Sequence, residues 1–271
     1  MKKPQTKSQK NEFILITGAS AGIGQATALL AAEKKQSLIL VARRLDRLKK
    51  IAKECLKKGS PEVLVYQMDL QKKSDILRVS KEIKKKKLAI KVLLNNAGLA
   101  KGVQLFQESA SEDWESMIET NIKGLLHMSK AFLPELIASH GHIINLGSVA
   151  GRLVYEGGAV YCATKFAVRA LSEGFRMDLK GTGVRVTNIE PGMVNTEFSL
   201  VRLGNQQKAD AVYSDMMPLL ANDIAETILW CVERPRHVNI QELVIYPTDQ
   251  ASVGQVVRGE KSVSHLRASS I

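Results

Sequence analysis

The chain has 271 residues, of which 45% are hydrophobic, so it can form one large α/β domain or two small ones. Its net charge of +12 would suit a nucleic-acid or anionic-surface binder, but the lysines are spread out without interleaved aromatic residues, which favours a solvated surface. Three scattered cysteines, and no apolar run of about 20 residues, exclude a disulfide scaffold and a membrane span and predict a reduced, cytoplasmic protein.

Residues 1–12 are polar and lysine-rich, and we predict a disordered basic tail there, followed by a single domain over 13–271. Residues 13–17 form an apolar run that predicts a buried strand. A glycine-rich turn follows over 18–24 and leads into a helical pattern over 25–35. The backbone of such a turn approaches a pyrophosphate closely, and the helix N-terminus offers free N–H groups, so this segment predicts a phosphate-binding unit.

The second predicted strand, over 37–41, ends at Ala42, where NAD-binding proteins tend to carry an acid for the ribose 2′-hydroxyl. Arg43 and Arg44 follow instead. Because an arginine fork binds phosphate bidentately, these two residues favour a 2′-phosphate and predict NADP as the cofactor.

Strands and helices continue to alternate along the chain. We predict further strands over 63–68, 90–94, 141–147, 184–189 and 243–246, and helices over 45–58, 74–87, within 111–140, and over 223–232. This alternation indicates a parallel α/β sheet, wound right-handedly, that binds ligands at its carboxyl edge. A mixed polar segment over 198–218 predicts a lid over the substrate, and residues 252–271 read as a tail.

Several predicted strand ends carry residues suited to ligand contact. They are Asp69-Leu70, near where an adenine ring would lie, Asn95-Asn96-Ala97-Gly98, and the loop that begins at Pro191-Gly192. Asn121 is a poor residue for the interior of a helix. It either bonds to a neighbouring loop or distorts the helix to bind water near Lys165.

The predicted fifth strand delivers Ser148 at its end, and Tyr161 and Lys165 follow with helical spacing, on one face. A free tyrosine titrates near 10, too high for a base at neutral pH. A cation about 4 Å away would lower the pKa of Tyr161 toward neutrality, while Ser148 would hydrogen-bond the reacting oxygen. The spacing alone is weak, since any amphipathic helix can contain it.

Together these motifs resemble the short-chain dehydrogenase/reductase superfamily, from about Phe13 to Tyr246. The resemblance implies a Rossmann-like three-layer sandwich with a seven-stranded parallel sheet in the order 3-2-1-4-5-6-7. It implies that Tyr161 is the acid/base, that Lys165 lowers its pKa and holds the nicotinamide ribose, and that Ser148 orients the substrate oxygen. Asn121 would anchor a water relay to Lys165, and no metal is needed.

The same resemblance places residues around the cofactor, all numbered as in this chain. The implied cofactor-binding residues are Gly18, Ser20, Gly22, Ile23, Gly24, Arg43, Arg44, Asp69, Leu70, Asn96, Ala97, Gly98, Tyr161, Lys165, Pro191, Gly192, Val194 and Thr196.

A narrower resemblance is carried by segments 42–44, 147–152, 161–167, 196–202 and 246–251. They are similar to the NADP-dependent 3-hydroxy acid dehydrogenases of the serine and L-allo-threonine type, which are usually homotetramers. Their small-molecule substrates carry a carboxylate, which implies a cation near Ser148, and Arg152 and Arg202 are the candidates.

Three other functions stay open. The chain could reduce another class of carbonyl, such as a steroid, sugar or xenobiotic ketone. It could be a non-catalytic NADP-binding regulator, although the four catalytic residues are present. A nucleic-acid binder is suggested by charge alone and would bind with a steep salt dependence.

Overall fold

The computed structural model describes residues 12–266. Residues 1–11 of the predicted tail therefore lie outside the described residues. Glu12, the last residue of that prediction, belongs to the first strand. No helix within the described part of the chain is both long enough and apolar enough to cross a membrane.

The sheet predicted from the sequence is confirmed. The strands are β1 (Glu12–Thr17), β2 (Ser37–Ala42), β3 (Val63–Gln67), β4 (Ala89–Asn95), β5 (His142–Leu146), β6 (Arg185–Pro191), β7 (Val194–Asn195), β8 (Leu219–Leu220), β9 (Glu242–Ile245), β10 (Gln250–Ser252) and β11 (Gln255–Val256). Seven of them pair in parallel in the order β3-β2-β1-β4-β5-β6-β9. The position predicted for a seventh strand is filled by β9, because two short strands, β7 and β8, intervene.

Helices cover both faces of this sheet. They are α1 (Gly22–Glu33), α2 (Leu45–Lys57), α3 (Lys73–Lys85), α4 (Ser111–Ile118), α5 (Leu125–Ser139), α6 (Ala159–Asp178), α7 (Glu197–Leu203), α8 (Gln206–Ala211), α9 (Ala221–Val232) and α10 (Val263–Leu266). Successive side chains of a strand point to opposite faces, so Ile14 packs with α1, α2 and α9, and Leu15 packs with α3 and α5. The result is the predicted three-layer arrangement.

The tail predicted at 252–271 is wrong over its described part. Ser252 closes β10, which pairs with β11 in an antiparallel hairpin, and α10 follows. These elements are only two to four residues long, too short for an apolar period to appear in the sequence.

Buried amides connect the middle of the sheet to its helices. The side-chain amide of Asn95 in β4 donates to the hydroxyl of Ser129 in α5, at 3.0 Å, and to Oδ1 of Asn145 in β5, at 2.9 Å. Asn145 donates in turn to Ser172 in α6, at 2.8 Å. An unpaired buried amide is costly, so this chain of bonds holds β4 and β5 in one register.

His142 is a buried titratable group at the start of β5. Its Nε2 bonds to the hydroxyl of Thr187 on β6, at 2.7 Å, and Nδ1 has no partner among residues 12–266. Burial, together with the charge of Arg185, lowers the pKa of His142 to about 3. The ring is therefore neutral in the folded protein at neutral pH.

We predict that this histidine makes the fold sensitive to mild acid. Below pH 6.5 the unfolded chain binds a proton that the folded chain excludes, so stability present above that pH is lost as pH falls toward 3. The loss from this group is about 2 kcal/mol between pH 7 and pH 5. We would measure the free energy of unfolding in urea at pH 7 and at pH 5. The loss between the two pH values should be smaller in His142→Gln than in the unmodified protein, by about 2 kcal/mol. His237→Gln, at an exposed position, is the control and should not differ. Equal losses in all three proteins would contradict the assignment.

Candidate active site

The carboxyl ends of the parallel strands open into a cavity of about 530 Å³. The predicted site residues that line it are Gly18, Ser20, Gly22, Ile23, Arg43, Arg44, Asp69, Leu70, Asn96, Ala97, Gly98, Ser148, Tyr161, Lys165, Pro191, Gly192, Val194, Thr196 and Arg202. Gly24, Asn121 and Arg152 are the predicted site residues outside this lining. The strand ends thus bring most of the predicted residues to one place, as expected for a parallel sheet.

The glycine turn after β1 is built for close backbone approach. Gly18 has a φ of +65°, and a Cβ there would lie 2.9 Å from the Cα of Ala97. A Cβ on Gly24 would lie 2.5 Å from Nδ2 of Asn96 and 2.6 Å from the carbonyl oxygen of Gly18. Asn96 donates to the carbonyl of Thr17, at 2.8 Å, and so ties the turn to the end of β4. The start of α1 is therefore left open for an anion.

Two arginines follow β2 at one end of the cavity. Both are exposed, and Arg44 donates through Nε to the hydroxyl of Ser20, at 3.2 Å, and through Nη1 to Glu197, at 2.8 Å. Arg47 donates to the other oxygen of Glu197, at 2.5 Å. The guanidinium of Arg44 is thus held beside the glycine turn before any ligand arrives.

Asn121 lies in a π-helical turn, Glu119–Gly124, between α4 and α5. Its side chain accepts from the backbone N–H of Leu99, at 2.9 Å, and donates to the carbonyl of Leu99, at 2.8 Å, and to the hydroxyl of Thr164, at 3.0 Å. The helix is distorted as its sequence indicated, and the bonds go to a neighbouring loop and to α6. The water relay implied by the resemblance stays a prediction.

Ser148, Tyr161 and Lys165 meet at the other end of the cavity. Ser148 follows β5 and accepts from the N–H of Ala150, at 3.1 Å. Tyr161 and Lys165 occupy one face of α6, both buried, and Nζ of Lys165 lies 5.9 Å from the centre of the phenol ring. That Nζ donates to the carbonyl of Leu146, at 2.8 Å. The three side chains can therefore act on one ligand atom in the cavity.

The expected lowering of the tyrosine pKa does not occur in this arrangement. Burial raises the pKa of Tyr161 above its ordinary value, Tyr155 adds to the rise, and the hydroxyl of Ser148 opposes it. Burial also lowers the pKa of Lys165 to about 8, while Glu190 opposes that change. The sequence argument counted the charge of the lysine but not the desolvation of the pair, and desolvation dominates here.

Arg152 does not fit its predicted role at the substrate. It donates through Nε to Glu190 and through Nη2 to Glu242, and Glu242 also accepts from Arg169, at 3.2 Å. Glu190 is completely buried. A buried carboxylate needs a paired cation, so we assign Arg152 to the structure behind the cavity and not to the substrate.

Arg202 in α7 is the cation that reaches the reactive residues. Its guanidinium carbon lies 5.7 Å from the ring centre of Tyr161 and 5.3 Å from that of Tyr155. Nε donates to the carbonyl of Gly102, at 2.9 Å, and Nη1 donates to the hydroxyl of Tyr155, at 2.9 Å. Within the described residues Nη2 makes no hydrogen bond, so its two N–H donors are left for a ligand.

Residues 193–220, which we call the lid, contribute many of the side chains that line the cavity. They comprise β7, α7, α8 and β8, and the two strands pair at the base, Val194 with Leu219. Phe198 packs against Tyr161 with ring centres 5.8 Å apart. Several residues of 198–218 therefore line the cavity, and their role as a lid over the substrate stays a prediction.

Sequence reasoning missed several residues that line the cavity. The main ones are Val103, Tyr155, Glu197, Phe198, Ser199, Tyr213, Gln250 and Val253. Tyr155 and Phe198 are bulky residues close to motifs that the sequence did single out, and that proximity was the available signal. Gln250 lies within segment 246–251, which contributed to the narrower resemblance, but nothing in that segment indicated a contact with the cavity.

Comparison with known proteins gives consistent matches along most of the chain. A family model described as short chain dehydrogenase matches residues 12–205. Sulfoacetaldehyde reductase 2 of Chromohalobacter salexigens is 43% identical over 244 residues, which cover 89% of this chain and 96% of that protein. The NADP-dependent 3-hydroxy acid dehydrogenase YdfG of Escherichia coli K12 is 40% identical over 245 residues, with coverages of 89% and 97%. The closed form of a serine dehydrogenase complexed with NADP+ superposes with a TM-score of 0.85 at 39% identity, over 91% of this chain and 99% of that chain.

We predict opposite effects from two glycine-to-alanine changes. Alanine is favoured in a helix by about 1 kcal/mol, yet Gly24→Ala should destabilise the protein by about 1–3 kcal/mol because its Cβ would collide with Asn96 and Gly18. Gly174→Ala in α6 is the matched control, and about 0.5–1 kcal/mol should be gained. Apart from its chain neighbours and its own helix backbone, no atom of residues 12–266 lies within 4 Å of the added carbon. Urea unfolding measures both, and stabilisation by Gly24→Ala would refute the close-approach argument.

Proposed function

The chain belongs to the short-chain dehydrogenase family, and from this premise we propose that it is an NADP-dependent oxidoreductase acting on small alcohols that carry an acid group. The observation that carries the substrate class is the guanidinium of Arg202, 5.7 Å from the ring centre of Tyr161 inside the cavity. A cation so close to the reactive phenol selects a ligand whose anionic group is near its carbinol carbon.

The residues present fit NADP along the whole cavity. The glycine turn has no room for a Cβ at Gly18 or Gly24 and exposes the start of α1, which suits a pyrophosphate. Arg44, with Arg43 beside it, supplies guanidinium donors for a 2′-phosphate. The loop that begins at Pro191-Gly192 lines the end near Tyr161, where the nicotinamide would lie. The relatives described as NADP-dependent or complexed with NADP+ support the same cofactor.

When bound, NADP(H) supplies or accepts the hydride at the carbinol carbon. The protein manages the proton on the oxygen. Because burial raises the pKa of Tyr161, the phenol holds its proton at neutral pH and donates it to the carbonyl oxygen during reduction. The hydroxyl of Ser148 donates a hydrogen bond to that oxygen as negative charge develops. In oxidation the same proton passes back from the alcohol to Tyr161.

Lys165 and Asn121 support this proton transfer. With a pKa of about 8, Lys165 is mostly protonated at pH 7, and its charge favours the phenolate that forms when Tyr161 gives up its proton. Asn121 bonds to Leu99 and Thr164, and Thr164 precedes the lysine on α6. Asn121 therefore positions the wall of the cavity next to the reactive lysine.

The relatives suggest one connectivity for the substrate. In a 3-hydroxy acid the carboxylate is attached to the carbon next to the carbinol carbon, and in sulfoacetaldehyde the sulfonate is attached to the carbon next to the carbonyl. Both place an anion at the same distance from the reacting carbon, so one guanidinium can serve both. The substrate class is therefore L-serine, L-allo-threonine, 3-hydroxyisobutyrate and related compounds, with the sulfonates as isosteric members.

We also propose a cellular compartment, a domain organisation and an oligomeric state for the protein. The protein works in the cytoplasm as a single domain over 13–271 and as a homotetramer, binding neither nucleic acid nor a membrane. Buried free thiols at Cys55, Cys162 and Cys231 support a reducing compartment. The tetramer is supported by the resemblance to the 3-hydroxy acid dehydrogenases.

The function is tested by absorbance of reduced nicotinamide with NADP or NAD and a panel of hydroxy acids, a hydroxyalkanesulfonate and a hydroxysteroid. We expect turnover of the acids with NADP. Tyr161→Phe should lower the rate by about a hundredfold or more because the proton donor is lost, while NADP binding persists. Residual turnover within tenfold of the unmodified protein would refute the acid/base role. Turnover of the steroid alone would refute the substrate class, and NADP binding without any turnover would favour the non-catalytic regulator.

Substitutions of the two candidate arginines should have different effects, one on substrate binding and the other on stability. Arg202→Met should raise KM for a 3-hydroxy acid about ten- to a hundredfold, the value of a charge-assisted hydrogen bond, without changing KM for an uncharged alcohol of similar length. Arg152→Met should leave KM unchanged but cost about 3 kcal/mol or more of stability, because Glu190 loses its partner. An unchanged KM in Arg202→Met would exclude that residue from the substrate site.

A further inference from the structure

Two adjacent residues hold both ends of the lid. Oε1 of Gln250 accepts from the backbone N–H of Met193, at 2.8 Å, where the lid begins. Oδ2 of Asp249 accepts from the backbone N–H of Met217, at 2.7 Å, close to where the lid ends. Both residues are almost completely buried, with 3% of Asp249 and 4% of Gln250 exposed.

The position of Asp249 is itself fixed by hydrogen bonds from residues 257–263. Asp249 also accepts from the hydroxyl of Ser262 and, at 2.9 Å, from the N–H of Val263. The backbone carbonyl of Asp249 accepts from the N–H of Val257, at 2.7 Å. Residues 257–263 therefore supply the rigid support that a buried carboxylate needs to hold the lid in one position.

Gln250 also reaches the loop between β6 and the lid. A Cβ on Gly192 would lie only 2.3 Å from Oε1 of Gln250, so the two segments are in direct contact, and Gln250 itself lines the cavity. Gly192 and Met193 line the cavity directly after β6, which pairs with β5, the strand that ends just before Ser148. Gln250 thus acts on both the lid and the part of the cavity nearest the reactive residues.

We propose that Asp249 and Gln250 are positioning residues that clamp both ends of the lid and set the loop at the tyrosine end of the cavity. Each accepts from a backbone N–H of the lid in a part-buried hydrogen bond, so the two residues hold the lid directly. The clamp keeps Phe198 and Arg202 at their places beside Tyr161. Its effect on cofactor and substrate rests on the function proposed above, whereas its effect on the lid does not.

The lid is tested first, without any reaction. Lys208 in α8 is exposed and lies within the lid, so the rate of tryptic cleavage after it reports local opening. Gln250→Met and Asp249→Asn should each raise this rate about five- to tenfold, the value of one buried hydrogen bond. Gln255→Met in β11 is the matched control, since this exposed side chain makes no hydrogen bond within residues 12–266. Should Asp249→Asn fail to fold, Gln250→Met decides alone. Cleavage no faster than in the control would overturn the clamp.

The second readout separates positioning from general stability. In Gln250→Met the affinity for 2′,5′-ADP, which reaches only the arginine end of the cavity, should not change, whereas the dissociation constant of NADP and the KM of the hydroxy acid should each rise about fivefold. An equal loss for both nucleotides, or a lower melting temperature with unchanged KM, would overturn the positioning role. If the unmodified protein turns over no substrate, the proposed function fails while the cleavage result still decides the clamp.

Discussion

The parallel alignment of β1, β4, β5 and β6 is the constraint on which the site depends, because it brings four strand ends to one edge. Buried hydrogen bonds fix that alignment. The hydroxyl of Thr17 donates to the carbonyl of Leu94, at 3.2 Å, and accepts from the N–H groups of Asn96 and Ala97, both at 3.0 Å. The amide of Asn95 continues the chain to β5. A register slip of one residue would leave these groups unpaired and would move the side chains of each strand to the opposite face of the sheet. Because such a slip is costly, the glycine turn and Ser148 keep a fixed separation.

One physical cause acts in opposite directions on the reactive pair. Desolvation disfavours charge, so it keeps the proton on Tyr161 and makes Lys165 easier to deprotonate. The burial itself comes from close packing of α6, since a Cβ on Gly151 would lie 2.7 Å from the carbonyl oxygen of Lys165. A phenol that holds its proton is ready to donate to a carbonyl, which suits reduction. Glu190, held by Arg152 behind the lysine, favours the protonated ammonium and limits the drop in its pKa.

The sequence was most informative where one local rule decides the structure. Strands buried on both faces appear as apolar runs, and Asn121 stood out as a misfit in a helix and does lie in a π-helical turn. It was least informative where partners are distant in the chain. Nothing near Arg152 indicates that Glu190 and Glu242 will claim its donors, and the burial that raises the pKa of Tyr161 is a property of packing, not of spacing. The short strands after residue 249 lack a readable period for the same reason: tertiary contacts, not local pattern, hold them.

Helix α7 joins these elements electrostatically. Glu197, its first residue, pairs with Arg44 and Arg47 at one end of the cavity, and Arg202, in its last turn, reaches Tyr155 and Tyr161 at the other. An acid at the start and a base at the end of a helix both complement its dipole, so the same charges stabilise the helix and orient it. The reverse orientation would bring Arg202 to the arginines and remove it from Tyr161, which would then have only Lys165 as a nearby cation. Exposed ion pairs are individually weak, so they orient α7 while the buried bonds at the base of the lid hold it in place.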